Sequence, residues 1–292
     1  INVNSNAQTN AQKAVLVIGG GYDTTHDAAA HPTTPDLDGA GIFMLDIDTG
    51  DVVWRAGRDI YADLQLLNMT RAIPSKIRVI DLNGDGYADR MYSSDLGGQI
   101  WRFDISNGQL PAQLVAGGVI ARLGAEGLVS PTAGETRRFY TTPDVSMFVD
   151  DNHAQRYLAI SIGSGYRAHP LDNSANDAFY SIRDKNVFNQ LTQTEYNLYT
   201  PVKHGDLVEV AGKYDTVIPA NGKGWKLTLP PNEKVLSDSQ TFDNSVYFVT
   251  FEPETSSSDP CQAGLSVNRL YRVSVANGDP VVEDDHGIPI DT

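Results

Sequence analysis

Four oxygen-bearing side chains crowd into nine residues of this chain, in the pattern Asp81-x-Asn83-x-Asp85-Gly86-x-x-Asp89. That grouping is suited to a hard cation. Ca²⁺ takes roughly six to eight oxygen ligands at about 2.3–2.6 Å, and side chains at loop positions 1, 3 and 5 can converge on one point. Asp81, Asn83 and Asp85 hold those positions. Gly86, at position six, permits the sharp turn that would aim the backbone carbonyl of Tyr87 inward and bring Asp89 round at position nine, directly or through water. The expectation is one Ca²⁺ ion held by Asp81, Asn83, Asp85, Tyr87 and Asp89. Magnesium fits less well because it demands a near-ideal octahedron and keeps its waters. The competing reading is a polar turn whose Asp and Asn side chains bond their own backbone. Against it, three carboxylates at such spacing repel one another without a cation.

The elements around this loop are strands. Position twelve of an EF-hand carries a bidentate Glu, but here it is Tyr92, and the flanks Ile77-Arg-Val-Ile80 and Met91-Tyr-Ser-Ser94 are β-rich rather than amphipathic helices. The site is therefore strand-loop-strand. It runs into Tyr92-Ser-Ser-Asp-Leu-Gly-Gly-Gln-Ile-Trp-Arg-Phe-Asp104, and related alternating units recur elsewhere. One is Gly41 to Trp54, with a hairpin turn at Asp48-Thr-Gly50. Others are Gly98 to Gly108, Ala178 to Asp184 and Arg269 to Gly278. Two of these end in Asn-Gly, a hairpin signal. The Gly163-Ser-Gly165-Tyr166 turn echoes Gly19-Gly-Gly21-Tyr22. About four units of several strands each point to radial repetition, hence an all-β, modified β-propeller. A propeller closes with roughly four to eight blades, so the full ring is expected to include sequence outside residues 1–292. Those residues read as a single propeller domain or part of one, and Ile1 in place of Met reads as a piece of a longer, processed or trimmed polypeptide.

Composition narrows the function classes. A formal net charge of −15 argues against nucleic acid, which is bound through clustered Lys and Arg. Acidity suits an extracellular, calcium-rich setting, although a solvated acidic surface is its default explanation. No stretch approaches the roughly 18 apolar residues of a membrane-spanning segment. The lone Cys261 offers no internal disulfide and leaves open a partner outside the segment or a buried thiol. His26, His31, His153, His169, His204 and His286 show no zinc spacing. Thr24 stands where a dinucleotide fingerprint needs its third Gly. Ser164 lacks the frame of a nucleophile elbow and reads as a turn residue. Asn68-Met69-Thr70 matches a glycosylation acceptor by a pattern too short to carry weight, and Glu283-Asp-Asp285 reads as a solvated loop.

On these residues the chain resembles the C-terminal domain of the PilY/PilC family, type IV pilus-associated adhesins and biogenesis factors of Gram-negative bacteria. The metal loop leading into Tyr92 to Asp104 carries most of the resemblance. The Gly-x-Gly-Tyr turns, the Asp46-Ile-Asp-Thr-Gly50 hairpin and Asp259-Pro-Cys-x-x-Gly264 before Leu270-Tyr271 agree in order. The resemblance implies a modified propeller holding calcium on Asp81, Asn83, Asp85, Asp89 and the Tyr87 carbonyl. It also implies a cell-surface or pilus-tip location, reached through the periplasm. Implied roles are pilus extension and retraction, twitching motility and attachment, with minor pilins and a host or surface receptor as partners and no catalysis. Two alternatives remain. Leu45-Asp-Ile-Asp-Thr-Gly-Asp-Val-Val-Trp54 is also similar to repeats of pyrroloquinoline-quinone dehydrogenases, although their metal sits on the central axis with the quinone and they carry a cysteine pair. An integrin-like calcium-loop propeller serving as a binding scaffold is the other.

Overall fold

The structure, a computed structural model, describes residues 1–4, 10–25, 27, 32–150, 154–210, 215–253 and 266–281. Cys261, the run Asp259 to Gly264, Glu283-Asp-Asp285, and His26, His31, His153 and His286 lie outside the described residues. After a small antiparallel pair, Asn2–Asn4 with Asn10–Gln12, the chain builds four larger sheets in succession, here I to IV.

Sheet I is the meander Val15–Gly19, Gly41–Asp46 and Val52–Gly57, with Leu64–Gln65 added in parallel. Sheet II is the antiparallel series Arg78–Ile80, Arg90–Ser94, Gln99–Ile105 and Val115–Arg122, joined at its far edge by the parallel Val202–Lys203. Sheet III repeats the plan with Asp144–Asp150, Gln155–Gly163, Ala178–Asp184 and Gly224–Thr228, then parallel Val208–Glu209. In sheet IV, Ser245–Glu252 pairs along its whole length with Val267–Ser274, while Lys234–Val235 and Gln240–Phe242 pair with different stretches of it. Each of the repeated sequence units falls in a different sheet.

The sheets stack face to face in chain order. Ile42, Met44 and Trp54 of sheet I share a core with Met91, Trp101 and Phe103 of sheet II. Tyr92, Ile100 and Ile120 of sheet II pack on Leu158, Ile160 and Tyr180 of sheet III. Tyr157, Phe179 and Trp225 of sheet III meet Val246, Phe248 and Val273 of sheet IV. Because successive side chains of a strand point to opposite faces, Met91 enters one core and Tyr92 the next. Every residue of Arg90–Ser94, Gln99–Ile105 and Ala178–Asp184 is accordingly buried.

Two short helices, Pro111–Leu114 and Gln193–Leu198, depart from the all-strand expectation. Neither is long enough to display an apolar period of 3.6. The second is set locally, by a capping box in which the Thr192 hydroxyl and the Glu195 carboxylate satisfy each other's backbone amides.

The Asp95-Leu-Gly-Gly98 turn explains the most specific part of the sequence. Asp95 is fully buried and accepts from the amides of Gly97 (2.9 Å) and Gln99 (3.0 Å), the Gln99 carboxamide (2.9 Å) and the Trp101 indole (2.8 Å). Gly98 has φ 77°, and a Cβ there would sit 2.6 Å from Gly124 and the Arg137 carbonyl, so only glycine fits. Burial pushes the Asp95 carboxyl up to about 7, against the donors that pull it down. Asp95→Ala strands several buried donors at once, each costing about 1–3 kcal/mol, so a loss of at least ~3 kcal/mol is expected. Urea unfolding checks this: the midpoint should fall with the slope unchanged.

Candidate metal loop and the charge network beneath it

The strands flanking the loop, Arg78–Ile80 and Arg90–Ser94, pair in register Arg78↔Tyr92 through Ile80↔Arg90. This pairing brings the two ends of the 81–89 loop together. Asp89 closes the neck: its amide donates to the Ile80 carbonyl (2.9 Å) and its carboxylate accepts from the Leu82 amide (2.8 Å). Inside the loop, Asp81 accepts from Gly84 (2.6 Å) and Gly86 (2.8 Å), Asn83 from Asp85 (2.8 Å), and Asp85 from Tyr87 (2.8 Å). Gly84 and Gly86 take φ of 77° and 86°, which lets successive amides point inward. The Gly86 amide is the chief cause holding the Asp81 carboxyl below its usual range.

All five predicted residues therefore occur on one exposed turn, and the self-bonding of the polar-turn reading is present. The carboxylates of Asp81, Asp85 and Asp89 do not gather into a group of three acids, and no cluster of three or more His, Cys, Asp or Glu suited to a metal occurs among the described residues. The donor set nevertheless fits a hard cation. An ionised carboxylate offers about four lone-pair sites, and the backbone amides use only part of them. The loop is also anchored to the core: the Ile105 amide donates to the Asp89 carbonyl (2.8 Å), and the Asn107 carboxamide to the Ala88 carbonyl (3.0 Å).

Directly after Asp89 comes a cluster that the sequence did not reveal. Arg90 and Arg102, at 0% and 1% exposure, are sealed between sheets II and III with Asp104 and Asp184. Asp104 receives Arg90 Nε (2.6 Å), Arg102 Nη2 (2.9 Å), the Tyr196 hydroxyl (2.8 Å) and the Leu191 amide (2.8 Å). Asp184 receives Arg102 Nη1 (2.9 Å), the Tyr92 hydroxyl (2.6 Å) and the Asn186 amide (3.0 Å). Burial, and then the adjoining Asp184 charge, push the Tyr92 hydroxyl well above its usual range; burial and Asp104 do the same to Tyr196. The guanidinium edges left over hold main chain: Arg90 donates to the carbonyls of Asn186 (2.9 Å) and Asn189 (3.0 Å), and Arg102 to that of Asn189 (2.7 Å).

No protein-family profile matches the chain. Over 101 residues it is 30% identical to the type IV pilus biogenesis factor PilY1 of Pseudomonas aeruginosa, in strains PAO1 and PAK alike. The fold superposes on the crystal structure of the Pseudomonas aeruginosa PilY1 C-terminal domain with a TM-score of 0.57, covering 84% of this chain and 54% of that one. The chain is homologous to PilY1. The sequence match takes in 34% of this chain but only 7% of the PilY1 relatives, and at 17% identity the structural match speaks for the fold alone. The PilY1 likeness agrees with the PilY/PilC resemblance read from Tyr92 to Asp104 and the turns around it.

Ser164, read as a turn residue, is buried, donates to Asp177 (2.6 Å) and accepts from the Ala178 amide (3.0 Å), which pins its turn. His204 is half-buried against the Tyr180 hydroxyl (3.0 Å), and burial lowers it to about 4. The charge network carries a direct test. Removing one member of a buried ion pair costs about 3–5 kcal/mol, because its partners are left charged and unpaired. Asp104→Ala takes their carboxylate acceptor from Arg90 and Tyr196, leaves Arg102 with Asp184 alone, and should destabilise by about that amount in chemical denaturation. Asp81→Ala, on the exposed loop, should cost far less.

Proposed function

We propose that this chain is the calcium-binding C-terminal domain of a type IV pilus-associated protein, serving pilus biogenesis, twitching motility and surface attachment by binding rather than by catalysis. The observation that carries the reading is the joint PilY1 likeness, in sequence over 101 residues and in fold over 84% of the chain. On this reading the partners are minor pilins at the pilus tip and a host or surface receptor, and the location is the cell surface. None of the described helices is long and apolar enough to cross a membrane.

The propeller part of the reading has its own support. Three shared cores join four sheets, which, among the described residues, leaves one face of sheet I and one of sheet IV without a neighbouring sheet. Both faces carry exposed apolar side chains among polar ones. Leu16 and Ile18, both exposed, pair across strands with Leu45 and Phe43 on sheet I; on sheet IV exposed Val249 pairs with exposed Leu270, and exposed Phe242 pairs with Ser245 farther along the same strand. A sector of a larger ring would leave such faces, each made to receive a further blade.

Calcium acts here as a local staple. Occupancy at about 100 times the dissociation constant would add roughly 2.7 kcal/mol if only the native state binds. That is small beside three hydrophobic cores, so the ion-free protein should stay folded with a looser loop. Calorimetry should find one site in the parent and none of comparable affinity in Asp85→Ala. Hydrogen exchange should show calcium-dependent protection confined to about residues 77–104. Unchanged titrations would remove calcium from the reading, and global unfolding on chelation would make the ion a folding cofactor.

The cellular role is tested by deleting the parent gene. Surface piliation, twitching or attachment should fall, and re-expression of the intact gene should restore them. Normal pili and adhesion in the deletion strain would reject the assignment.

A further inference from the structure

A cleft of about 660 Å³ opens beside the 81–89 loop. Asn83 and Asp89 form one wall; Asn186, Phe188, Asn189 and Gln190 form the other, with Glu195 at the rim. The volume lies within the roughly 300–1,000 Å³ typical of small-ligand sites. What distinguishes the cleft is how its second wall is held.

Residues 186–191 form no helix or strand, and Phe188, Asn189 and Gln190 are exposed. Yet the segment is fixed from beneath. Arg90 and Arg102 grip the Asn186 and Asn189 carbonyls, Asp104 holds the Leu191 amide, and the buried Val187 anchors the middle. The Gln190 carboxamide donates to the Ile105 carbonyl (2.8 Å). Charged side chains with almost no exposure thus support a surface segment whose own side chains face solvent. A wall ordered before any ligand arrives spares the ligand that ordering cost.

The lining selects a chemistry. Among the described residues Arg90 is the one cationic side chain lining it, and its Nε, Nη1 and Nη2 are all engaged, by Asp104 and the two carbonyls. Asp89 and Glu195 remain as acids, which disfavours phosphate, sulfate or carboxylate ligands. The carboxamides of Asn186, Asn189 and Gln190 each combine a donor and an acceptor group, and the carboxylates accept. Paired donors and acceptors suit vicinal hydroxyls. Phe188, 62% exposed, adds a flat apolar face on which the C–H side of a sugar ring can lie. We propose that this cleft binds a neutral saccharide.

The site shares Asn83 and Asp89 with the calcium loop, but its other wall stands without the ion. The test is therefore run both in calcium and in chelator. Glucose, galactose, mannose, N-acetylglucosamine and disaccharides built from them are titrated into the 292-residue chain, followed by saturation-transfer NMR and calorimetry. Monosaccharide against disaccharide binding separates recognition of a sugar end from recognition of a chain interior. At least one sugar should bind with one-to-one stoichiometry. Phe188→Ala and Asn189→Ala should each weaken it by about tenfold, the loss of one good stacking or hydrogen-bonding contact. Melting temperatures should hold, since both side chains are exposed. Binding that persists in chelator supports the site even if the loop takes no calcium. Failure of every sugar in both conditions, or binding indifferent to both substitutions, overturns the proposal. A trilysine peptide that binds while no sugar does would also overturn it, and would make the cleft a peptide-docking surface.

Discussion

Two arginines and two aspartates sealed between sheets II and III impose the tightest condition on this structure. Arg90, Arg102, Asp104 and Asp184 are each 4% exposed or less, and charges so far from water persist only when paired and hydrogen-bonded throughout. The pairing draws on Tyr92 within sheet II, Tyr196 of the short helix, and the main chain at 186, 189 and 191. The position of the connection between Asp184 and Tyr196 is therefore dictated by the core. Were that connection to move, the arginines would lose acceptors in a place where water cannot replace them.

The candidate metal loop inherits its placement from the same hairpin. Its second flank is Arg90–Ser94, buried at every residue, and Asp89 is tied to Ile105 of the next strand. A surface turn thus stands on a rigid base. A cation bound there would tighten the turn and its neck while leaving the cores intact, and anything altered by its presence would be felt first at Asn83 and Asp89, one wall of the adjacent cleft. The loop and the 186–191 segment face each other because Arg90, the residue after the loop's last acid, reaches across to hold the opposite wall.

The amino-acid sequence by itself determined the local pieces. The 81–89 turn, the hairpin at Asp46 to Gly50 and the Asp95-Leu-Gly-Gly98 turn are written in short-range chemistry: carboxylates that bond nearby amides, and glycines that accept positive φ. The alternation of the repeated units pointed to strands, several to a unit, and each unit does occupy its own sheet. Tertiary structure decided which faces are inside. A period of two says that a strand has two faces, not that both are covered, so nothing in the alternation itself places Arg102 and Asp104 within a core. The partners that make them tolerable there come 82 to 92 residues later: Asp184 and the carbonyl of Asn189 for Arg102, the Leu191 amide and the Tyr196 hydroxyl for Asp104. No local pattern encodes a contact over that distance; it exists only once sheet II is stacked on sheet III.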